Sequence, residues 1–269
     1  MYNEKNIKDI PVYVICLERK RNERCNSNFP LIKELFPKAK WETAIDGEKI
    51  DYLKDDRFSV FSKYNVKNNL RTDITFTDNI NQLACALSHI EMWKKVKKSG
   101  VPSIIIEDDV YLTKRLKNQI INRCYQIPRN IDFASILYLG NDNTDKYNND
   151  WYRIMNRSFW GLQMYFITPN GASKLLKDIF PINIHIDRYI GYYASVNNNF
   201  RAICYKNKYN PSLSELFSNS TLNHQTNIKS VLPESNTFYI ILVSTVIIII
   251  IGLIIWLILC KKKCKKKNK

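Results

Sequence analysis

Residues 10–206 alternate short apolar segments with stretches of helical periodicity. The apolar segments predict strands at residues 10–17, 41–45, 103–106, 132–139, 162–167 and 200–205. Helical periodicity covers residues 30–36, 79–98, 169–179 and 186–196. Strands that alternate with helices predict an α/β domain with a mostly parallel central sheet.

The strongest helical pattern lies in residues 79–98. Its apolar residues recur at spacings of three and four, at Ile80, Leu83, Leu87, Ile90, Trp93 and Val96. This period predicts an amphipathic helix. Asp78 is predicted to cap its start, and Gly100 with Pro102 is predicted to end it. Thr168 and Pro169 open the following helix in the same way.

The C-terminal part of the chain differs from the rest. Residues 238–259 contain no charged side chain, and the nine residues 261–269 include seven lysines. At a rise of about 1.5 Å per residue, a helix of this length crosses the roughly 30 Å hydrocarbon core of a bilayer. The pattern predicts an N-terminal segment (1–9), the domain (10–206), a stalk (207–237), one transmembrane helix (238–259) and a polybasic tail (260–269).

The orientation of this membrane anchor has conflicting indications. The N-terminus lacks the features of a secretory signal peptide, so we expect a single-pass protein with the domain of residues 10–206 in the cytosol. The positive-inside rule places the lysine tail itself in the cytosol. Glycosylation sequons at Asn156 and Asn219 become relevant only if the domain faces the other side.

The positive charge of the chain is concentrated at its end. The formal net charge is +16, and seven of the 41 basic residues lie in the tail. The basic residues outside the tail are scattered rather than interleaved with aromatic residues in one stretch. The surplus is compatible with a membrane surface or a phosphate-bearing ligand, but a solvated basic surface is the simpler interpretation, and no nucleic-acid partner is predicted.

Five of the seven cysteines precede the stalk: Cys16, Cys25, Cys85, Cys124 and Cys204. Their number is odd, their spacing is wide, and no pair has the C-x-x-C spacing. The pattern predicts neither a zinc site nor a disulfide framework. We expect Cys16, Cys85 and Cys204, which lie in apolar segments, to be buried thiols.

Three consecutive carboxylates give the clearest chemical signal. Glu107, Asp108 and Asp109 directly follow the predicted buried strand, at the end where open α/β sheets bind ligands. Carboxylates this close repel one another, and a hard divalent cation offsets that repulsion. The tripeptide alone fits a solvated turn equally well.

Seven segments of the chain together carry a resemblance. They are residues 12–24 (VYVICLERKRNER), 43–47 (TAIDG), 85–90 (CALSHI), 106–110 (IEDDV), 138–140 (YLG), 165–176 (YFITPNGASKLL) and 186–189 (IDRY). In this order they resemble glycosyltransferase family 25, which contains bacterial lipooligosaccharide and procollagen galactosyltransferases. The chain departs from the family pattern at residues 81–84 (NQLA), where the family usually has glycines.

The resemblance implies a GT-A-like nucleotide-sugar-binding fold, a UDP-sugar donor and a divalent metal ion, with Mn²⁺ expected. It places the metal and the donor diphosphate at Asp108 and Asp109, and the nucleoside near Asp46. Arg19, Arg21 and Arg24 follow the first strand, where a guanidinium group can meet phosphate; ordinary surface charges are the simpler interpretation.

The resemblance also implies that the transfer inverts the configuration of the sugar. An inverting transfer needs a base that takes the proton of the acceptor hydroxyl. Asp187 and Glu107 are the candidates, and Asp187 is preferred. His89 either contacts the donor or is a buried histidine bonded to its surroundings. The sequence thus predicts a membrane-anchored hexosyltransferase that transfers galactose or glucose to a glycan or protein hydroxyl. The alternative is a catalytically silent relative that serves as a membrane-tethered binding protein.

Overall fold

The computed structural model describes most of the predicted domain. The described residues are 7, 9–70, 76–110, 112, 114–137, 146–148, 150–155 and 159–206.

The described part of the chain forms eight strands and six α-helices. The strands are β1 (Val12–Cys16), β2 (Ala39–Thr43), β3 (Ser103–Glu107), β4 (Phe133–Ser135), β5 (Lys146–Asn148), β6 (Trp151–Arg153), β7 (Met164–Ile167) and β8 (Ala202–Tyr205). The helices are α1 (Asn26–Leu35), α2 (Val60–Lys67), α3 (Ile80–Ser99), α4 (Lys114–Tyr125), α5 (Pro169–Leu175) and α6 (Ile186–Val196).

The strands form one sheet in the order β2-β1-β3-β7-β4-β8-β6-β5. Among the described strands, β1 pairs in parallel with β2 and β3, and β4 with β8, while the other four pairings are antiparallel. The expected α/β class is confirmed, but the expectation of a mostly parallel sheet is wrong. A parallel connection needs a crossover, usually a helix; no described residue between β4 and β7 is helical.

All six predicted strands and all four predicted helices are present, with several ends shortened. The pattern misses α2, α4 and the β5–β6 pair. Residues 146–148, which we expect from the sequence to lie in a polar loop, form β5, because three residues are too few for alternation to register. Helix α4 does show helical spacing in its buried residues Leu116, Ile120 and Cys124.

The sheet separates two layers of core. Strand β3 shows this best, because successive side chains of a strand point to opposite faces. Ile105 packs with Leu87, Ile90 and other residues of α3, whereas Ile104 and Ile106 pack in the second cluster, which includes residues of α1 and α4. The buried strand therefore has apolar neighbours on both faces, which explains why its sequence does not alternate.

Helix α3 is held at both ends by local chemistry. The Asn79 side chain accepts a hydrogen bond from Gln82 N at 3.0 Å, so Asn79 is the cap and the prediction of Asp78 is wrong by one residue. Asp78 contributes its backbone instead: its N–H donates to Gln82 Oε1 at 3.0 Å, one residue before the N–H that a capping box uses. Gly100 ends the helix with a φ of +69°.

The predicted stalk, membrane helix and lysine tail lie outside the described residues, as do residues 138–140, the YLG segment. No helix in the described part combines the length and the apolar character that crossing a membrane requires. The domain boundaries stay predictions.

Candidate active site

The carboxyl ends of the parallel strands β2, β1 and β3 meet at one edge of the sheet. The register pairs Ile15 with Glu107 and Cys16 with Thr43. The segments that follow these strands therefore start side by side. Most of the residues predicted to contact the donor or the metal lie in them.

Asp187 joins this edge from the first turn of α6. Its Oδ2 accepts a hydrogen bond from Gly161 N at 2.9 Å, which fixes a side chain that is only 5% exposed. The negative charge of Asp187 raises the pKa of Glu107, so the two carboxylates lie within electrostatic range of each other. We call Glu107, Asp108, Asp109 and Asp187 the carboxylate cluster.

The cluster concentrates negative charge in a poorly solvated place. Burial raises the pKa of Glu107 to about 8, and the charges of Asp187 and Asp108 add to the effect. Burial and then the charges of the whole cluster also hold the pKa of the neighbouring Cys85 thiol well above its ordinary value. A bound cation would relieve this repulsion, and carboxylate oxygens are ligands that Mg²⁺ and Mn²⁺ prefer. The carboxylate oxygens of Asp108 and Asp109 are ligands of the type that a hard divalent ion takes, whereas the compact groups of ligand atoms in the described part of the chain are Cys16 with Cys25 and Asp108, and Cys85 with His89 and Glu107.

Asp108 is held by two groups of the segment that follows β1. Leu17 N donates to its Oδ2 at 2.9 Å, and Arg24 Nη1 lies 3.6 Å from its Oδ1. Burial raises the pKa of Asp108, while the Leu17 N–H and the Arg24 charge oppose that rise. Asp109 is partly buried in the turn after β3, and its charge acts on His89 and Cys85.

His89 supports Glu107 from inside the protein. Its Nε2 lies 2.9 Å from Glu107 Oε1, and its Nδ1 lies 3.0 Å from Tyr165 Oη. Burial lowers the pKa of His89 to about 4, so the ring is neutral and carries one proton at pH 7. Trp93 Nε1 donates to Tyr165 Oη at 2.9 Å. When Glu107 is ionised, Tyr165 donates to Nδ1 and Nε2–H donates to the carboxylate.

Asp46 and Arg19 form a second contact at the same edge. Arg19 Nε lies 3.3 Å from Asp46 Oδ1, and Arg19 Nη1 lies 3.1 Å from Glu48 Oε1. Asp46 also caps the 3₁₀ turn Gly47–Lys49. Behind it, Ser88 Oγ accepts from Ile45 N at 2.9 Å, which ties this loop to α3.

A comparison with protein families decides which kind of domain this is. The family described as "Glycosyltransferase family 25 (LPS biosynthesis protein)" matches residues 9–190. The chain belongs to glycosyltransferase family 25. No curated protein matches the chain at a significant level. Membership identifies the domain as a glycosyltransferase and suggests a nucleotide-sugar donor. The matched residues include the whole carboxylate cluster.

In the family 25 domain His89 contacts Glu107 directly, and Asp108, Asp109 and Asp187 lie close enough for their charges to act on Glu107, His89 or Cys85. Arg24 is buried against Asp108 rather than presented at the surface. Arg21 pairs with Glu18 on the exposed side of its turn. The donor contacts expected of Asp46, Arg19, Arg24 and His89 stay predictions, since the structure gives only their protein contacts.

Cys16 and Cys25 form a disulfide in the family 25 domain. The expectation of no disulfide, and of a free thiol at Cys16, is therefore wrong. A spacing of nine residues says nothing about whether two Cβ atoms face each other. The pairing arises because the turn after β1 folds back, which brings the π-helical segment Arg21–Cys25 against the strand end.

The other three cysteines of the described part are free thiols: Cys85, Cys124 and Cys204. Cys204 is buried, as its apolar segment predicts, and so is Cys124. Cys85 is only half-buried, so the expectation of a buried residue there is wrong. It lies in the first half of α3, on the side of the helix that faces the carboxylate cluster, rather than deep in the apolar core.

Sequence reasoning also misses several residues beside the cluster. Tyr165 and Trp93 complete the contacts of His89, yet in sequence both resemble ordinary core aromatics. His185 caps α6 through its Nδ1, which accepts from Asp187 N at 3.4 Å. The ring of Trp160 lies near both His185 and the Arg188 guanidinium, at 4.8 and 4.6 Å. The position of His185 just before a predicted helix is the available signal.

Proposed function

We propose that the chain transfers a hexose, galactose or glucose, from a UDP-sugar to a hydroxyl acceptor, with inversion and with a divalent cation. The observation that carries the proposal is the placement of Glu107, Asp108 and Asp109 at and after the carboxyl end of β3, beside the ends of β1 and β2, with the charge of Asp187 acting on Glu107. Buried carboxylates that repel one another destabilise a fold, and a bound cation offsets that repulsion. Glycosyl transfer with a nucleotide leaving group is a reaction that uses such an ion.

Asp108 and Asp109 are the proposed residues for the ion and the donor diphosphate. The ion, Mn²⁺ in our proposal, would neutralise the charge that develops on the departing nucleotide. Leu17 N–H and Arg24 hold the Asp108 carboxylate in place. Arg19 and Asp46 follow the ends of β1 and β2, where the nucleoside and phosphates of the donor would extend from the cluster.

Asp187 is the proposed base. In an inverting transfer the acceptor hydroxyl attacks opposite the leaving group, so we assign Asp187 to the acceptor and not to the metal ion. Asp187 comes from α6, whereas Glu107, Asp108 and Asp109 lie at and after the end of β3. Gly161 N–H orients Asp187 through Oδ2. We propose that Glu107, which is hydrogen-bonded to His89, lies on the side of the site that binds the metal ion.

The acceptor and the membrane anchor belong to the same proposal. A glycan or a protein hydroxyl would serve as acceptor, and residues 238–259 with the lysine tail would hold the enzyme at a membrane. A cytosolic catalytic domain stays a prediction. The Cys16–Cys25 disulfide favours the opposite side, because thiols are kept reduced in the cytosol, and the positive-inside rule for the tail agrees with that side.

UDP release by the detergent-solubilised full chain tests the proposal, across a panel of UDP-sugars with Mn²⁺ or with EDTA. We expect turnover of one sugar that EDTA abolishes and that Asp108→Asn/Asp109→Asn lowers at least about 100-fold, the scale of losing a main electrostatic contact in a transition state. Asp9→Asn/Asp51→Asn removes the same number of charges at exposed positions and should leave turnover unchanged. No turnover together with no metal-dependent UDP binding would instead favour the catalytically silent protein.

A further inference from the structure

The Cys16–Cys25 disulfide closes a loop that contains both groups holding Asp108. Cys16 is the last residue of β1, and Cys25 is the last residue of the π-helical segment Arg21–Cys25. The Leu17 N–H, one residue after Cys16, donates to Asp108 Oδ2. The Arg24 guanidinium, one residue before Cys25, pairs with Asp108 Oδ1. Each contact to Asp108 thus lies next to one end of the covalent bond.

The disulfide also touches the carboxylate directly. Cys25 Sγ lies 3.7 Å from Asp108 Oδ2, and both cysteines are buried, at 3% and 1% exposure. The side chains of Arg24 and Asp108 are 7% and 12% exposed. Water therefore competes little for these contacts, and their geometry is set by where the loop places Leu17 and Arg24.

The polar part of the loop has weak attachments to the rest of the described domain. Residues 18–23 (ERKRNE) are all exposed or half-buried. The ion pairs of Lys20 with Glu23 and of Arg21 with Glu18 lie within the loop itself. Arg19 reaches outside it, to Asp46 and Glu48, from a side chain that is 34% exposed. Exposed ion pairs of this kind contribute little, so the covalent bond adds a constraint that the side chains of residues 18–23 do not supply.

We propose that the Cys16–Cys25 disulfide is a positioning element that sets the affinity of the site for its divalent cation through Asp108. This inference rests on the proposed function, because it assumes that Asp108 binds the cation. The bond holds Leu17 N–H and Arg24 at fixed points, so the carboxylate keeps one orientation. Reduction by a dithiol transfers two electrons and two protons, yields two thiols and a new disulfide on the reductant, and releases the loop. Cation affinity then falls while the domain remains folded.

The first measurement is Mn²⁺ binding by the full chain in the presence of UDP, followed by the EPR signal of free Mn²⁺. We expect Cys16→Ser/Cys25→Ser to raise the apparent Kd for Mn²⁺ about tenfold, with the thermal unfolding transition still above the assay temperature. In turnover assays the Mn²⁺ requirement should rise, and kcat at saturating Mn²⁺ should change less. A disulfide that only stabilises the fold would not raise the Mn²⁺ requirement while leaving kcat at saturating Mn²⁺ nearly unchanged.

Reduction of the wild-type chain gives a second measurement that does not depend on how the variant folds. Dithiothreitol should weaken Mn²⁺ binding to the same extent, reoxidation should restore it, and the double-serine variant should not respond to the reductant. Equal Mn²⁺ affinity of the oxidised and reduced protein would overturn the inference, as would free thiols at both positions when the purified protein is alkylated. In contrast, oxidised wild-type protein that binds no Mn²⁺ with UDP would overturn the proposed function as well.

Discussion

A single buried hydroxyl connects the core to the candidate active site. Tyr165 Oη accepts a hydrogen bond from Trp93 Nε1 and contacts His89 Nδ1, whose other nitrogen reaches Glu107. Trp93 and Tyr165 are both fully buried. Buried polar groups depend on these contacts, because water is not available as a replacement. The orientation of Glu107 is therefore linked to the packing of α3 against β7.

Tyr165→Phe tests that link. Removal of the hydroxyl leaves the Trp93 N–H and His89 Nδ1 without this partner, so we expect the free energy of unfolding to fall by about 1–3 kcal/mol. Chemical denaturation followed by tryptophan fluorescence measures the change. Tyr64→Phe removes the same atom from a side chain that is 58% exposed, and it should have an effect near zero. Equal shifts for the two variants would contradict a role for the buried hydroxyl.

At the residue scale, the sequence predicts functional side chains that directly follow a strand. It misses side chains whose role depends on contact with a residue far away in the sequence. Glu107, Asp108 and Asp109 are predictable because they directly follow a recognisable buried strand and match a segment of the family pattern; the tripeptide alone fits a solvated turn equally well. Tyr165 is not predictable, since its role depends on a histidine 76 positions away. Cys25 is missed for the same reason: its pairing depends on how the turn folds, which no local spacing encodes.

At the element scale, the pattern of apolar residues predicts where strands lie but not which way they run. Strand β7 is predictable as an apolar segment, and it lies between β3 and β4 antiparallel to both. Its four residues are buried on both faces, which is equally compatible with a parallel neighbour. Strand direction depends on the connection from β4, and the β5–β6 pair within that connection is too short for its period to be recognised.

The packing of α5 against β4 depends on the absence of a side chain at Gly171. A Cβ atom at this position would lie 2.3 Å from the carbonyl oxygen of Asp132, an oxygen that also accepts from Thr168 N at 3.0 Å. The hydrogen bond between Thr168 and Asp132 therefore holds the start of α5 against the residue before β4, and separating the two segments would cost free energy. This explains a glycine in the first turn of a helix, where it otherwise lowers helix stability.

Gly171→Ala is expected to lower the free energy of unfolding by about 1–3 kcal/mol, the usual cost of overpacking a core. The midpoint of urea unfolding is the measurement. Gly100→Ala is the comparison, because Gly100 has a positive φ but no atom within 4 Å of the point that a Cβ would occupy. It should cost only about 1 kcal/mol, from backbone strain alone. A larger loss for Gly100→Ala than for Gly171→Ala would contradict the packing argument.

At the scale of the whole molecule, the charge and the apolar run predict a division of the chain into a domain and a membrane attachment. The sequence carries a net charge of +16, and its last nine residues supply seven lysines soon after 22 residues without a charge. We expect an apolar helix of that length to insert, and adjacent lysines add roughly 1 kcal/mol each near an anionic surface.

Ending the chain after residue 237 tests this division. We expect the full chain to stay in the membrane pellet after alkaline carbonate extraction and the shortened chain to move to the supernatant. Replacing the seven tail lysines with glutamine should leave the full-length protein in the pellet, because the apolar helix rather than the charge provides the attachment. Release of that lysine-free chain by carbonate would show a peripheral, electrostatic attachment instead.

The order of strands in the sheet also has a consequence for how the protein is made. Strand β3 is synthesised early, but its second neighbour is β7, and β4 completes its pairing only with β8. A ribosome that adds about 5–20 residues per second needs several seconds to reach β7 after β3. During that time the edge of an apolar strand is open to any other extended chain. Newly made protein should therefore depend on chaperones until the last strand is available, and a nascent chain stalled before that point should be prone to aggregate. Because Asp187 also follows β7 in the chain, such a stalled chain should be inactive as well.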